Sequence, residues 1–155
     1  MSRFTYEEAV SYIEGIPRFT KEKSSENTKH ILELFGHPEL SFSYIHVAGT
    51  NGKGSVCAFL AGMLKAAGFR TGLFTSPHLT DTVERIQVDG EMISREDFAD
   101  LFSELYDVVN ELEKKGRPHP TYFEWLYLMC MIWFYRCRIQ YGVIETRSEE
   151  RRVGK

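Results

Sequence analysis

A β-rich run, Phe42 to Ala48, breaks into the glycine-rich segment Gly49-Thr50-Asn51-Gly52-Lys53-Gly54-Ser55, and a helical pattern from Val56 to Ala67 follows at once and closes at Gly68. This strand, tight loop and helix constrain the fold more than anything else in the chain. At such a handover, backbone N–H groups and the positive end of the helix dipole can converge on phosphate oxygens. Lys53 adds a point charge suited to β- and γ-phosphates. Side chains in place of the glycines would hold the backbone away from a phosphate, and several of these positions are expected to need positive φ. The alternative is an ordinary glycine turn, which the strand and helix flanks disfavour. The string also departs from G-x-x-x-x-G-K-[ST], since position 47 is Val and Gly54 separates Lys53 from the Ser55 hydroxyl, so it points away from generic kinases and GTPases.

Arg70 to Thr75 returns as a second strand, so the two strands and the helix between them form a βαβ unit with a right-handed crossover and parallel strands. Upstream, Thr5 and Glu8 make a capping-box pattern before a short helix ending near Gly15 and Pro17. A second helix carries Ile31, Leu32, Leu34 and Phe35 and stops at Gly36 and Pro38. Downstream, Glu84 to Val88 and Glu91 to Ile93 flank Asp89-Gly90, the best hairpin signal in the chain. Ser94 and Asp97 open a long helix whose Phe98, Leu101, Phe102, Leu105, Val108, Val109 and Leu112 keep helical spacing. Thr121 to Ile139 is apolar nearly all round, as a helix buried against a sheet should be, and Tyr141 to Glu145 resumes as a strand. The expected fold class is α/β, of P-loop NTPase type, with a mostly parallel sheet flanked by helices.

Composition removes several alternatives. With 155 residues, 43% of them hydrophobic, the chain can bury a core, and one domain or one piece of a larger one is expected. A net charge of -3 argues against nucleic acid held by bulk electrostatics. The longest uncharged apolar stretch, Trp125 to Tyr135, falls short of the ~18 residues that cross a bilayer, so no membrane partner is expected. The N-terminus lacks the apolar core of a secretory signal. Cys57, Cys130 and Cys137 lack C-x-x-C spacing and lie in apolar helical contexts, which suits buried free thiols in a reducing, cytoplasmic compartment.

The chain resembles the folylpolyglutamate synthases and dihydrofolate synthases, ATP-dependent amide ligases related to the Mur peptidoglycan ligases. The resemblance rests on His46 to Ser55, on Thr75-Ser76-Pro77-His78-Leu79 with Glu84-Arg85-Ile86, on Thr121-Tyr122-Phe123-Glu124, and on Val143-Ile144-Glu145-Thr146. It implies that Gly49, Thr50, Asn51, Gly52, Lys53, Gly54 and Ser55 bind ATP, with Lys53 also catalytic. It implies that Ser76 and Glu145 bind Mg²⁺, for which a hydroxyl and a carboxylate are suitable hard oxygen donors. In a parallel sheet both would sit at the strands' carboxyl ends, beside the phosphate loop; without the family, Ser76 would be a turn residue before Pro77 and Glu145 a solvated strand end. Thr121, Tyr122, Phe123 and Glu124 match the segment that contacts the pterin, although Thr121 and Glu124 equally form a capping box, and both roles can hold. Pro77 to Val83 resembles a mobile loop beside the phosphates and folate, with His78 structural rather than catalytic.

The resemblance stops within one residue of Thr146. Residues 1–146 are expected to be the N-terminal part of the ATP-binding domain. Residues 147–155, with four basic and two acidic side chains, are expected to be foreign to the fold, from a truncated or misassembled frame; a genuine charged terminus on a shortened homologue is the alternative. By that resemblance, the family's Gly-Gly-Arg-Asp segment, a further metal-binding His, a modified Lys and the C-terminal glutamate-binding domain are expected to be missing, and the chain looks like roughly the first third of such an enzyme. The expected activity of the complete enzyme, a monomer in the family, is addition of L-glutamate to folate, to dihydropteroate, or to both through an acyl phosphate, with the fragment inactive alone. Another Mur-type ligase, a P-loop kinase and a non-catalytic nucleotide-binding remnant are the alternatives. The sheet is expected to be incomplete, its last strand a bare edge.

Overall fold

The computed structural model describes residues 3–18, 25–48, 53–75 and 81–146; the expected tail, residues 147–155, lies outside them. Among the described residues the helices are α1 (Tyr6–Glu14), α2 (Ser25–Leu34), α3 (Lys53–Ala66), α4 (Arg95–Lys114) and α5 (Tyr122–Arg136). The strands are β1 (Ser43–Ala48), β2 (Thr71–Phe74), β3 (Ile86–Val88), β4 (Glu91–Met92) and β5 (Tyr141–Thr146), and short 3-10 turns cover Pro38–Leu40 and Thr82–Arg85.

Helix boundaries follow the capping chemistry. Thr5 accepts from the Glu8 amide while Glu8 accepts from the Thr5 amide, and Thr121 and Glu124 reciprocate in the same way at α5. Ser94 caps α4 through the Asp97 amide. Gly36 takes φ +84° just past α2, the left-handed conformation that ends a helix cheaply. Asp89 and Gly90 both have positive φ, 51° and 83°, so β3 and β4 close through a two-residue turn whose twist matches the strands.

The strand order is β1-β5-β2-β3-β4, with β1/β5 and β5/β2 parallel and β2/β3 and β3/β4 antiparallel. The sheet is therefore mixed: the expected parallel arrangement holds for β1, β5 and β2, and the hairpin extends it antiparallel. β1 and β2 are parallel, as a βαβ unit requires, but β5 lies between them. This corrects the expectation that the last strand is a bare edge. β5 is an interior strand between β1 and β2, and β1, with exposed Ser43, Tyr44 and His46, is the edge beside it among the described residues. The physical reason is burial on both faces: Gly142, Val143, Ile144 and Glu145 are all buried, which only an interior strand provides.

Side-chain alternation divides the core. Leu73 and Val143 point to one face and pack with Cys57, Ile45, Val47, Leu60, Ala61 and Leu64, so α3 covers that side. Phe74 and Ile144 point to the other, where α5, α1 and α4 bury Trp125, Leu128, Ile13 and Phe102. Cys57 and Cys130 are buried and Cys137 is half-buried, and none of the three is in a disulfide among the described residues. Among the described residues, no helix is long and apolar enough to cross a membrane.

Candidate active site

Three parallel strands end side by side at one edge of the sheet. Val47 is in register with Glu145, Ala48 with Thr146, and Phe74 with Ile144, so the carboxyl end of β5 lies between those of β1 and β2. β1 leads into the glycine-rich segment expected to bind phosphate; Gly49, Thr50, Asn51 and Gly52 lie outside the described residues, as do Ser76 and His78. The chain is described again at Lys53, the first residue of α3, and Ser55 is exposed on the first turn of that helix. An α-helix begins with unsatisfied N–H groups and a partial positive charge. α3 begins at Lys53, five residues after the last residue of β1, and packs over the parallel strands through Cys57, Leu60, Ala61 and Leu64.

Glu145 is 4% exposed. Strand alternation sets it on the same face as Val143, the α3 side, and its register partner Val47 packs there too. The expectation of a solvated strand end, which the residue would have in isolation, therefore fails. Glu145 is a buried carboxylate on the interior strand β5, between β1, which leads to the glycine-rich segment Gly49–Ser55, and β2, which leads to Ser76.

Tyr122, Phe123 and Glu124 are buried and Thr121 is half-buried, all at the start of α5. This segment abuts the end of β2: the Phe123 ring lies 5.7 Å from that of Phe74, the last residue of the strand. Tyr122 donates its amide to the Pro17 carbonyl at 3.0 Å, and the Arg18 guanidinium stands 3.3 Å from the centroid of its ring. Glu124 accepts from the Thr121 amide at 2.8 Å through Oε1, so the capping box is formed.

Arg85 was part of a motif but carried no assigned role, and the structure makes it prominent. It is 2% exposed, donates from Nε to the Thr75 carbonyl at 2.8 Å, and reaches the Tyr122 hydroxyl from Nη1 at 3.4 Å. It therefore joins the residue before Ser76 to the Thr121–Glu124 segment. The signal for it was an arginine at the head of an apolar hairpin strand, where a charge needs a specific reason.

Asp81, where the described chain resumes after Thr75, is also fastened. The Asp81 carboxylate accepts from the Tyr6 hydroxyl and from Arg95 Nη2, the latter at 2.5 Å. Partial burial works to raise the Asp81 pKa, but these two donors outweigh it and hold the carboxyl below its ordinary value. Burial and the same carboxylate push Tyr6 up to about 12.

No family model matches the chain. A folylpolyglutamate synthase of Arabidopsis thaliana is 37% identical over 151 residues, covering 92% of this chain and 26% of that protein. A dihydrofolate synthase/folylpolyglutamate synthase of Bacillus subtilis is 35% identical over 142 residues, covering 91% and 33%. Among solved structures, a folylpolyglutamate synthetase from Lactobacillus casei matches with a TM-score of 0.87 at 29% identity, over 97% of this chain and 38% of that one. A structure described as an FPGS-AMPPCP-folate complex matches with a TM-score of 0.85 at 31% identity, over 92% and 35%. The chain spans about a third of the length of these proteins. With its mixed sheet, its order of motifs and this shared architecture, the chain belongs to the folylpolyglutamate synthase and dihydrofolate synthase family.

Proposed function

We propose that this chain is the ATP- and acid-substrate-binding portion of an ATP-dependent amide ligase that adds L-glutamate to folate, to dihydropteroate, or to both. The observation that carries the reading is the strand order β1-β5-β2, which sets a buried carboxylate, Glu145, between the strand that enters Gly49–Ser55 and the strand that enters Ser76. In this reading the loop amides and Lys53 hold the triphosphate. With the pterin of the substrate held against Thr121–Glu124, the substrate carboxylate attacks the γ-phosphorus in line, forming an acyl phosphate and releasing ADP. The glutamate amine then attacks the acyl carbon and expels inorganic phosphate, leaving the amide.

Ser76 and Glu145 would hold Mg²⁺. The donor set fits, because a buried carboxylate is a hard oxygen ligand that a divalent cation compensates, and Mg²⁺ completes its shell with water and phosphate oxygens. The bound ion would supply charge neutralisation at the β- and γ-phosphates. Cytoplasmic folate metabolism, with small molecules rather than nucleic acid or membrane as partners, is the matching setting.

The test is ADP release by the full-length protein that carries this segment, measured with pteroate, folate and glutamate in turn. Release that requires both an acid substrate and glutamate, and that Lys53→Ala abolishes, is expected. Phosphate transfer to a stable product without glutamate would instead indicate a kinase.

A further inference from the structure

Thr75, the residue that follows β2, has each of its polar groups fastened to the turn Thr82–Arg85. Its amide donates to the Arg85 carbonyl at 3.0 Å, its carbonyl accepts from Arg85 Nε at 2.8 Å, and its hydroxyl donates to the Glu84 carbonyl at 3.4 Å. Arg85 therefore grips Thr75 through both main chain and side chain. The same guanidinium passes the Phe74 ring, its carbon 5.2 Å from the centroid, and donates from Nη1 to the Tyr122 hydroxyl at 3.4 Å. Tyr122 is in turn anchored to the Pro17 carbonyl and lies under the Arg18 guanidinium. One rigid, planar donor group thus spans from the end of β2 to the start of α5.

Stability alone gives no account of this bridge. Arg85 is 2% exposed, takes part in none of the ion pairs among the described residues, and leaves Nη2 without a hydrogen-bond partner. A buried cation in that condition contributes little net stability, and an apolar side chain of similar volume is often neutral or better. What the bridge does supply is a fixed relation between Thr75, which precedes Ser76, and Tyr122, in the segment proposed to hold the pterin. An in-line attack needs the reacting atoms about 3–3.5 Å apart, and a misplacement of about 1 Å can cost on the order of 100-fold in rate. We propose that Arg85 is a positioning residue for the ligation: touching neither substrate, it sets the spacing between the nucleotide end and the pterin end of the site. This rests on the ligase reading above.

The test compares Arg85→Lys and Arg85→Met with the unaltered full-length protein that carries this segment. Lysine keeps the charge but cannot hold Thr75 and Tyr122 together, and methionine removes charge and bridge alike. Isothermal titration with Mg-ATP and with pteroate, each alone, is expected to give affinities within about threefold of the unaltered protein, while kcat for glutamate-dependent ADP release falls by about 30- to 100-fold in both variants. A kcat within about threefold of the unaltered value in either folded variant would overturn the proposal, because the bridge would then be dispensable. An affinity for either ligand weakened tenfold or more would also overturn it, by showing that Arg85 acts on binding rather than on spacing. If Arg85→Lys fails to fold, Arg85→Met decides, since it leaves no buried charge; failure of both would make Arg85 a core residue alone and end the proposal. Failure of the ligase reading is distinguishable, since it shows in the unaltered protein as ADP release independent of glutamate.

Discussion

Gly72 of β2 and Gly142 of β5 face each other as register partners, and neither position has room for a methyl group. A Cβ on Gly72 would come within 2.6 Å of the Phe134 ring, and one on Gly142 within 2.5 Å of the Phe42 ring. The paired glycines create the hollow into which α5 and the residue before β1 insert their aromatic rings, and this close approach sets how tightly the helix layer sits on the parallel strands. Gly72→Ala is expected to destabilise the chain by about 1–3 kcal/mol through overpacking, read as a lower urea midpoint with unchanged slope. Phe134→Leu should recover part of the loss in the double variant, because it removes the atoms that clash.

The double role of the α5 start can be separated by chemistry. Thr121→Ala removes the N-cap acceptor and should cost about 1 kcal/mol of stability. Glu124→Gln keeps an oxygen able to accept the Thr121 amide, as capping boxes tolerate, so its melting temperature should barely move. If Glu124 also accepts N–H groups from a pterin, the same variant should weaken pteroate several-fold, measured by quenching of tryptophan fluorescence. An unchanged affinity would leave Glu124 as a cap alone.

Acid sensitivity should trace to Asp81. Its carboxyl titrates lower in the folded chain than the ordinary 3.8, because Tyr6 and Arg95 donate to it. The unfolded chain therefore binds the proton first, and the stabilisation is present in full above about pH 5 and is lost as pH falls through the folded value. Urea midpoints measured from pH 6 to 3 should fall more steeply for the unaltered chain than for Asp81→Asn. Tyr6 gives the alkaline counterpart. Its folded pKa of about 12 lies above the ordinary 10, so its contribution is present below pH 10 and declines above it.

Local chemistry was legible in the sequence, and long-range pairing was not. Thr5 with Glu8, Thr121 with Glu124, Ser94 at α4 and the Asp89-Gly90 turn act on neighbours a few residues away, so their patterns appear in the linear chain and recur in the structure. The insertion of β5 between β1 and β2 joins residues about 70 to 100 positions apart, and no local pattern records which parallel neighbour a strand will choose. The Gly72 and Gly142 pair was silent for the same reason: each glycine answers to a ring elsewhere in the chain. At the site, Glu145 was singled out by the family resemblance, and its burial depended on β5 being an interior strand. Arg85 was quoted within a motif, and only the fold shows that its neighbours leave one amino group without an acceptor.

The position of Glu145 makes one prediction that distinguishes a metal ligand from a core carboxylate. Deep burial on the α3 face of the interior strand β5 is costly for a negative charge unless a cation or hydrogen-bond donors compensate it. If the residue serves Mg²⁺, Glu145→Gln keeps the size and one oxygen but removes the charge, and it should weaken nucleotide binding about tenfold in the presence of Mg²⁺ while leaving binding in chelator unchanged. A purely structural carboxylate would produce the opposite signature, a change in melting temperature with no dependence on the ion. Isothermal titration with ATP, run in parallel with Mg²⁺ and with a chelator on the full-length protein, reads both. Lys53→Ala supplies the contrast, since an ammonium that contacts phosphate should weaken the nucleotide under either condition.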